Sequence, residues 1–519
     1  MLKSGRFFLS SANMPEILLA TLNARYNHAS LGLRYLYANL GSLQPQAELM
    51  EFTIAMRPLD IAEQILAKQP KIVGLGVYIW NVTETTAVVT LLKTLAPQLI
   101  IVLGGPEVSY EAASQSITAS ADYVISGAAE QSFRDLCLAV LADARPATKF
   151  IQSPLLPLAE LQLPYAAYTD TDLKQRFIYV EASRGCPFKC EFCLSALDKT
   201  AYPFELARFL QAMDQLWQRG LRHFKFVDRT FNLKIATTQA ILEFFLARLD
   251  ADTFLHFELV PDHLPDALKA CIQRFPAGSL QFEIGIQTFN PEVQALISRK
   301  QDNAKSIENL QWLRQNSTAH LHTDLIFGLP AEDLASFAQG FDQLVALRPH
   351  EIQVGILKRL RGAPIIRHTE AYGMLYNPYP PYNILATDRI EPFTMQQMNR
   401  FARYWDLIGN SGRFEHSLAL LLGENPFARF WILSEQLYQL SGQTHQIALP
   451  RLFKLVHEIA SHELGLTENF TDQLLADYAR SGQKGEIPFV SGLRQRALQQ
   501  LGTDARKQRQ LRHVLEAKS

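Results

Sequence analysis

The 519-residue chain has no apolar run that approaches the ~20 residues needed to cross a bilayer, which points away from a membrane protein. It also lacks an excess of either charge: 50 Lys and Arg stand against 51 Asp and Glu, for a formal net charge of -1. That balance offers no general attraction to nucleic acid or to an anionic membrane. A secretory signal is missing too, since residues 1–15 hold Lys3 and Arg6 but only a short Phe-Phe-Leu patch. Met14 stands just before the first apolar run, so the leading segment reads as disordered or as a start-site artefact. A cytoplasmic location with reduced cysteines is expected. After the first apolar run, the stretch Thr21 to Ser30 has no Gly-x-Gly-x-x-Gly, which argues against a dinucleotide site. His457 and His462 are five apart and cannot share a helix face as the i, i+4 pair of a zinc protease does.

What is present is a chain long enough to bury two or three cores, with 48% hydrophobic and 19% charged residues. From 14 to 140, short apolar runs alternate with helical patterns. Strands are expected at Ile17 to Thr21, Ala47 to Phe52, Lys71 to Tyr78, Leu99 to Gly104 and Tyr123 to Ser126, with helices between them. Strict alternation implies a parallel sheet with helices on both faces, a doubly wound α/β domain whose ligand sits beyond the carboxyl ends of the strands. Gly76, Gly104, Gly105 and Gly127 fall at or near those ends. Pro154, Pro157 and Pro164 mark residues 141–172 as a linker. From 173 to 375 six more strand-like runs alternate with helical patterns: Arg176 to Glu181, His223 to Val227, Leu255 to Val260, Ser279 to Ile286, Leu321 to Phe327 and Glu351 to Leu357. Residues 376–519 are mostly helical in pattern.

The run Glu181-Ala-Ser-Arg-Gly-Cys-Pro-Phe-Lys-Cys-Glu-Phe-Cys193 places Cys186, Cys190 and Cys193 at Cys-x3-Cys-x2-Cys spacing. Three thiolates on one loop can hold three irons of a four-iron, four-sulfur cluster and leave the fourth iron open for chemistry. A zinc site asks for four ligands with a second pair at a distance. The remaining cysteines, Cys137 and Cys271, stand alone in apolar helical patterns and read as free buried thiols.

With Phe192 just before the third cysteine, this loop resembles that of the radical S-adenosylmethionine superfamily. The resemblance implies that the open iron chelates S-adenosylmethionine, and that one electron cleaves it to methionine and a 5'-deoxyadenosyl radical. It also implies a partial (β/α)6 barrel over 173–375 and a reductant partner such as flavodoxin or ferredoxin. The strand ends carry polar residues where relatives hold S-adenosylmethionine: Asp228 and Asn232 after the second strand, Glu258 in the third, Gln287 at the end of the fourth and Asp324 in the fifth. Phe192 joins this set. Lys358, Arg359 and Arg361 offer cations for the methionine carboxylate or for a cobalamin side chain.

The domain ahead of the cysteine loop is similar to the cobalamin-binding module of many radical S-adenosylmethionine enzymes. Leu103-Gly-Gly-Pro-Glu107 resembles the glycine pair that passes close to the cofactor's nucleotide tail, and Gly127-Ala-Ala-Glu-Gln131 resembles the module's Gly-Glu ending. The implied cobalamin contacts are Gly76, Tyr78, Gly104, Gly105, Pro106, Glu107, Gly127 and Glu130. In place of the Asp-x-His-x-x-Gly that carries an axial ligand, the chain has Asn27-His28-Ala-Ser-Leu-Gly32. His28 therefore reads as a helix-capping or solvent-facing residue.

The aromatic, proline-rich run Tyr376 to Tyr382 could line a barrel mouth or join domains. Arg494, Arg496, Arg506, Lys507, Arg509 and Arg512 read as a solvated helix face, with an RNA or acidic partner as the alternative. Methyl transfer to an unactivated centre of a small-molecule or macromolecular substrate is the expected function. The alternatives are a cobalamin-assisted rearrangement, a methylthiotransferase and a non-catalytic corrinoid sensor. A methylthiotransferase would need a second cysteine triad in the N-terminal domain, where only Cys137 occurs.

Overall fold

The computed structural model describes residues 14–198, 201–483 and 489. The leading segment before Met14 and the basic residues from Arg494 onward lie outside the described residues. The chain forms two compact units, one comprising 1–182, 202–221 and 360–362, the other 183–201, 222–359 and 363–519.

The first unit holds a parallel sheet of order β2-β1-β3-β4-β5-β6, with β1 Ile17–Asn23, β2 Ala47–Thr53, β3 Ile72–Gly76, β4 Ile100–Gly104, β5 Tyr123–Ser126 and β6 Phe150–Gln152. The first five match the sequence expectation. The sixth corrects it, because the expected linker contributes Phe150–Gln152 beside Val124–Ser126. Helices cover both faces: α1 Leu31–Ala38, α2 Pro58–Ala67, α3 Val82–Leu95, α4 Ser116–Ser120 and α5 Glu130–Leu141. One apolar cluster joins Leu18, Leu75, Leu103 and Val124 to Ile61, Ile65, Val88 and Ile117. The opposite cluster joins Leu19, Ile72 and Ile125 to Leu33, Phe133 and Val140. Cys137 is wholly buried there as a free thiol, and burial pushes it up to about 12.

After α6 Asp170–Gln175 and β7 Ile178–Val180 come short strands β8 Ser183–Arg184 and β9 Tyr202–Pro203, then α7 Leu206–Gln218. The second unit's parallel strands are β10 His223–Phe226, β11 Phe254–Leu259, β12 Leu280–Gln287, β13 His320–Phe327 and β14 Glu351–Ile356. They pair in chain order, β10 to β11 and so on to β14. All six strand runs expected between 173 and 375 are strands. Helices α8 Ile235–Leu246, α9 Asp266–Ile272, α10 Pro291–Leu296, α11 Asn303–Asn316 and α12 Leu334–Ala346 fill the crossovers. One sheet face is apolar: Phe226, Phe231 and Phe257 pack with ring centroids 4.0–5.4 Å apart.

The C-terminal region opens with a hairpin, β15 Leu375–Tyr376 and β16 Ile384–Ala386, into which the aromatic, proline-rich run folds. It continues as α13 Pro392–Ile408, α14 Leu418–Leu422, α15 Pro426–Ser441, α16 Leu449–His462 and α17 Glu468–Arg480. Phe341 of α12 packs on Phe401, Trp405 and Phe427 at centroid distances of 4.8–5.9 Å, and Asp342 accepts the Phe427 N–H at the start of α15. Among the described residues no helix is long and apolar enough to cross a membrane.

Candidate functional site

Chain direction in a strand sends successive side chains to opposite faces, and the barrel strands use this to separate core from chemistry. On the face opposite the apolar one, Glu258 of β11 stands beside Glu283 of β12, which stands beside His322 of β13 and then Glu351 of β14. One step toward the carboxyl ends, Gly285, Asp324 and Gln353 align. Several of these polar groups pair as ions across the strands. His256 lies 3.0 Å from Glu283 and holds that carboxyl down to about 2. Burial opposes a charge on His322, but Asp324 at 3.3 Å and Glu351 at 3.0 Å outweigh it and push the imidazole up to about 10. Arg229 pairs with Glu258 at 2.7 Å, while burial still raises that carboxyl.

At the carboxyl end of this face lies a cavity of about 230 Å³. Cys186, Cys190 and Cys193 line it together with Phe192, Arg229, Glu258, Glu283, Gln287, Arg299 and Asp324. Gly185, at φ +88, turns the chain from β8 into the cysteine loop. The loop is pinned by Cys186 N–H to Asp198 O at 3.1 Å and by Cys193 N–H to Cys190 O at 3.1 Å. Arg299 donates from Nη1 toward Cys190 Sγ at 3.6 Å, and through Nη2 to Gly285 O and Gln301. Burial raises the Cys186 and Cys190 thiols, with Arg299 opposing it at Cys190. Metal binding there would release protons.

The donor set fits a cluster. Among the described residues no three His, Cys, Asp or Glu side chains converge as ligands of a single ion. A four-iron cube does not ask this of them, because each thiolate caps its own corner. S-adenosylmethionine fits as well. Asp324 Oδ1 is buried without an aligned donor, and Gln287 takes φ +69 at a register shift that ends β12. A buried acceptor without a donor is costly unless a ligand supplies one.

Two expected contacts have other work. Asn232 is wholly buried and does not line the cavity: its amide donates to Val260 O and His263 O and accepts from Val260 N–H, tying the loop after β10 to the end of β11. Asp228, also buried, accepts the Ser183 hydroxyl at 2.6 Å. The cation Arg361 is engaged by Glu107 at 2.9 Å and Glu111 at 3.1 Å. Arg299, Glu283, His256 and His322 were not expected. The signal for the last three was present as polar residues at every second position of otherwise apolar strands. Arg299 follows α10, off any strand, where that rule does not reach.

In the first unit, Gly76 and Gly104 end neighbouring strands in register. A Cβ on Gly104 would meet Ile125 O at 3.7 Å, an ordinary contact, whereas one on Gly76 would crowd Thr21 Oγ1 at 3.2 Å. Gly105 is needed for a different reason. At φ +107 its Cβ would fall 2.5 Å from Val77 O, so the glycine lets the Gly104–Glu107 turn lie against the residue after β3. Tyr78 stacks on the half-exposed Trp80 at 4.4 Å, Gly127 takes φ +88, and Glu130 opens α5. Pro106 is exposed. Strands that end in glycine beside a stacked aromatic pair let a broad, flat cofactor approach the backbone closely. His28 is neither a cap nor solvent-facing: its Nδ1 meets Tyr179 Oη at 2.6 Å, and Ser30 caps α1.

A three-cysteine loop at the carboxyl ends of a parallel, polar-lined sheet, preceded by a doubly wound domain, defines an iron–sulfur radical enzyme with a second cofactor module. The family comparisons give the same order. The B12 binding domain matches residues 17–137, the radical SAM superfamily 180–344, and a family of unknown function, DUF4080, 370–518. The chain thus carries a B12 binding domain followed by a radical S-adenosylmethionine domain, with the cluster, S-adenosylmethionine and cobalamin as the cofactors these domains imply. It is 24% identical over 477 residues to the 2-(S-pantetheinyl)-carbapenam-3-carboxylate methyltransferase of Streptantibioticus cattleyicolor, covering 80% of this chain and 69% of that one. It is 25% identical over 346 residues to the cobalamin-dependent radical SAM methyltransferase TokK of Streptomyces tokunonensis, covering 60% of this chain and 51% of that relative. Among solved structures, the cobalamin-dependent S-adenosylmethionine radical enzyme OxsB shares the fold at a TM-score of 0.60 and 15% identity, over 90% of this chain and 79% of that one. The radical S-adenosylmethionine methyltransferase TsrM from Kitasatospora setae does so at 0.57 and 16%, over 73% and 81%.

Proposed function

We propose that the protein transfers a methyl group to an unactivated centre of its substrate as a cobalamin-dependent radical S-adenosylmethionine methyltransferase. The observation that carries this is a single cavity lined by three cysteine thiols and by Glu258, Gln287, Arg299 and Asp324, in a chain that also holds a B12 binding domain. The names of two relatives, both methyltransferases, support the choice of reaction. Cys186, Cys190 and Cys193 would hold the cluster. Asp324 and Glu258 would accept from donors of S-adenosylmethionine, Gln287 and Arg299 would orient its polar end, and Phe192 would cover the cluster side. Gly76, Gly104 and Gly127, with Tyr78, would floor the cobalamin site, while Glu107, paired with Arg361, would hold the loop beside it. Bound together, these groups supply a substrate radical and a methyl group to meet it, and the protein positions them away from water. The electron would come from a small reductant protein such as flavodoxin or ferredoxin.

The test is anaerobic reconstitution followed by methyl-labelled S-adenosylmethionine and a reductant. Formation of 5'-deoxyadenosine together with label on the corrinoid is expected. Deoxyadenosine with no label leaving S-adenosylmethionine would instead indicate rearrangement, and neither product would defeat the radical reading.

A further inference from the structure

Between Cys190 and Phe192 stands a carboxylate that the chemistry described so far does not use. Glu191 is 2% exposed, and isolated buried charge of that kind is costly unless it is paired and hydrogen-bonded. It is fully engaged, and by residues far away in sequence. Arg367 donates from Nη2 to Oε1, His368 Nε2 lies 2.8 Å from Oε2, and Ser298 donates its hydroxyl to Oε1 at 2.5 Å. The backbone repeats the pattern: Glu191 N–H donates to Ile297 O at 3.0 Å, and Ile365 N–H donates to Glu191 O at 2.9 Å. Three segments therefore meet at one residue: the cysteine loop, the Ile297–Arg299 turn, and the 3-10 turn Pro364–His368 that follows the last barrel strand.

We propose that Glu191 is a positioning residue of the cluster loop, which fixes the Cys190 thiol against Arg299 by clamping both of their segments to Pro364–His368. The neighbouring residues on each side of the contact carry the consequence. Cys190 precedes Glu191, Arg299 follows Ser298, and the two meet at 3.6 Å. A hydrogen bond from a guanidinium to a cluster thiolate stabilises the more negative, reduced state, and surrounding hydrogen bonds are one of the levers that set such potentials. Glu191 and Arg367 also form a close charge pair of which one member is buried, so screening by salt is weak on that side. The pair neutralises itself beside the cluster.

This assignment rests on the cluster reading but on neither cobalamin nor methyl transfer, and its test reads the cluster directly. Reconstituted full-length parent, E191Q and R367M are compared for iron per chain and for the midpoint potential of the cluster in an anaerobic titration followed by electron paramagnetic resonance. Arg367 has a 60% exposed side chain, so R367M keeps the fold even where E191Q does not. E191Q removes a negative charge while its amide keeps much of the hydrogen-bonding shape, and is expected to raise the potential; R367M removes a positive charge and leaves Glu191 to His368 and Ser298 alone, and is expected to lower it. In both, the signal is expected to broaden as Cys190 loses its fixed partner. Opposite shifts are what a merely structural loosening would not produce. Parent that binds cluster while both variants keep its potential and line shape overturns the clamp alone. Parent that binds no cluster overturns both readings.

Discussion

In β1 every residue from Ile17 to Asn23 is buried, whereas in β12 buried and half-exposed residues alternate from Leu280 to Gln287. Both strands belong to parallel sheets with helical crossovers, yet they are used differently. The first sheet is covered by helices on two faces, so nothing polar can point from its middle without a partner, and only the strand ends are free to meet a ligand. The barrel strands bury one face and give the other to His256, Glu258, Glu283, His322 and Asp324, which puts charge along the strands themselves. Interior substitutions should therefore affect mainly stability in the first unit and mainly chemistry in the second.

The largest effect is expected on the barrel side. Cys190→Ala removes a cluster ligand and should abolish the brown absorption and the retained iron; iron content equal to the parent's would defeat the ligand assignment. Next comes Asp324→Ala. Loss of a buried acceptor that meets a ligand donor should weaken S-adenosylmethionine binding by roughly 10- to 100-fold, the scale of a charge-assisted hydrogen bond. His322 keeps Glu351 as its partner in that variant, so the melting temperature should move little; calorimetric binding and a thermal melt check the two halves.

The first unit should show the reverse. Leu103→Ala empties a wholly buried position on β4 and is expected to cost about 2–5 kcal/mol, measured by denaturant unfolding. Iron retention in the barrel should stay at the parent level. A fall in iron equal to the fall in stability would erase the contrast between the two sheets.

How much of this the residues revealed in advance follows from the same contrast. The two-sided apolar runs of the first sheet stand out in sequence, so β1 to β5 were legible; β6 was not, because Phe150–Gln152 is a three-residue edge strand with exposed ends in a proline-rich stretch. In the barrel the cysteine spacing was legible, as were Glu258, Gln287 and Asp324 at strand ends. Asn232 shows the limit of that rule: a polar residue just past a strand serves equally well to tie two loops, and only its three backbone partners reveal which. Arg299 and Glu191 depend on segments more than 100 residues away in sequence, and no local pattern encodes such a meeting.

The smallest expected effect sits at the rim of the barrel. Glu332 is buried, accepts the Thr288 hydroxyl at 2.6 Å, and burial pushes it up to about 8 from an ordinary value of 4.5. A carboxyl that holds its proton more tightly when folded contributes stability that is present below about 4.5 and is lost as pH rises through about 8. The parent should lose stability from pH 5 to 8, and Glu332→Gln should flatten that slope in thermal melts; identical slopes would remove Glu332 as the cause.

The central claim is that one chain holds a radical cluster and a corrinoid. Anaerobic reconstitution with iron, sulfide and hydroxocobalamin, followed by gel filtration and an optical spectrum, tests it most directly. About four irons and one corrinoid per chain are expected to co-elute. Iron without corrinoid absorption would contradict the pairing.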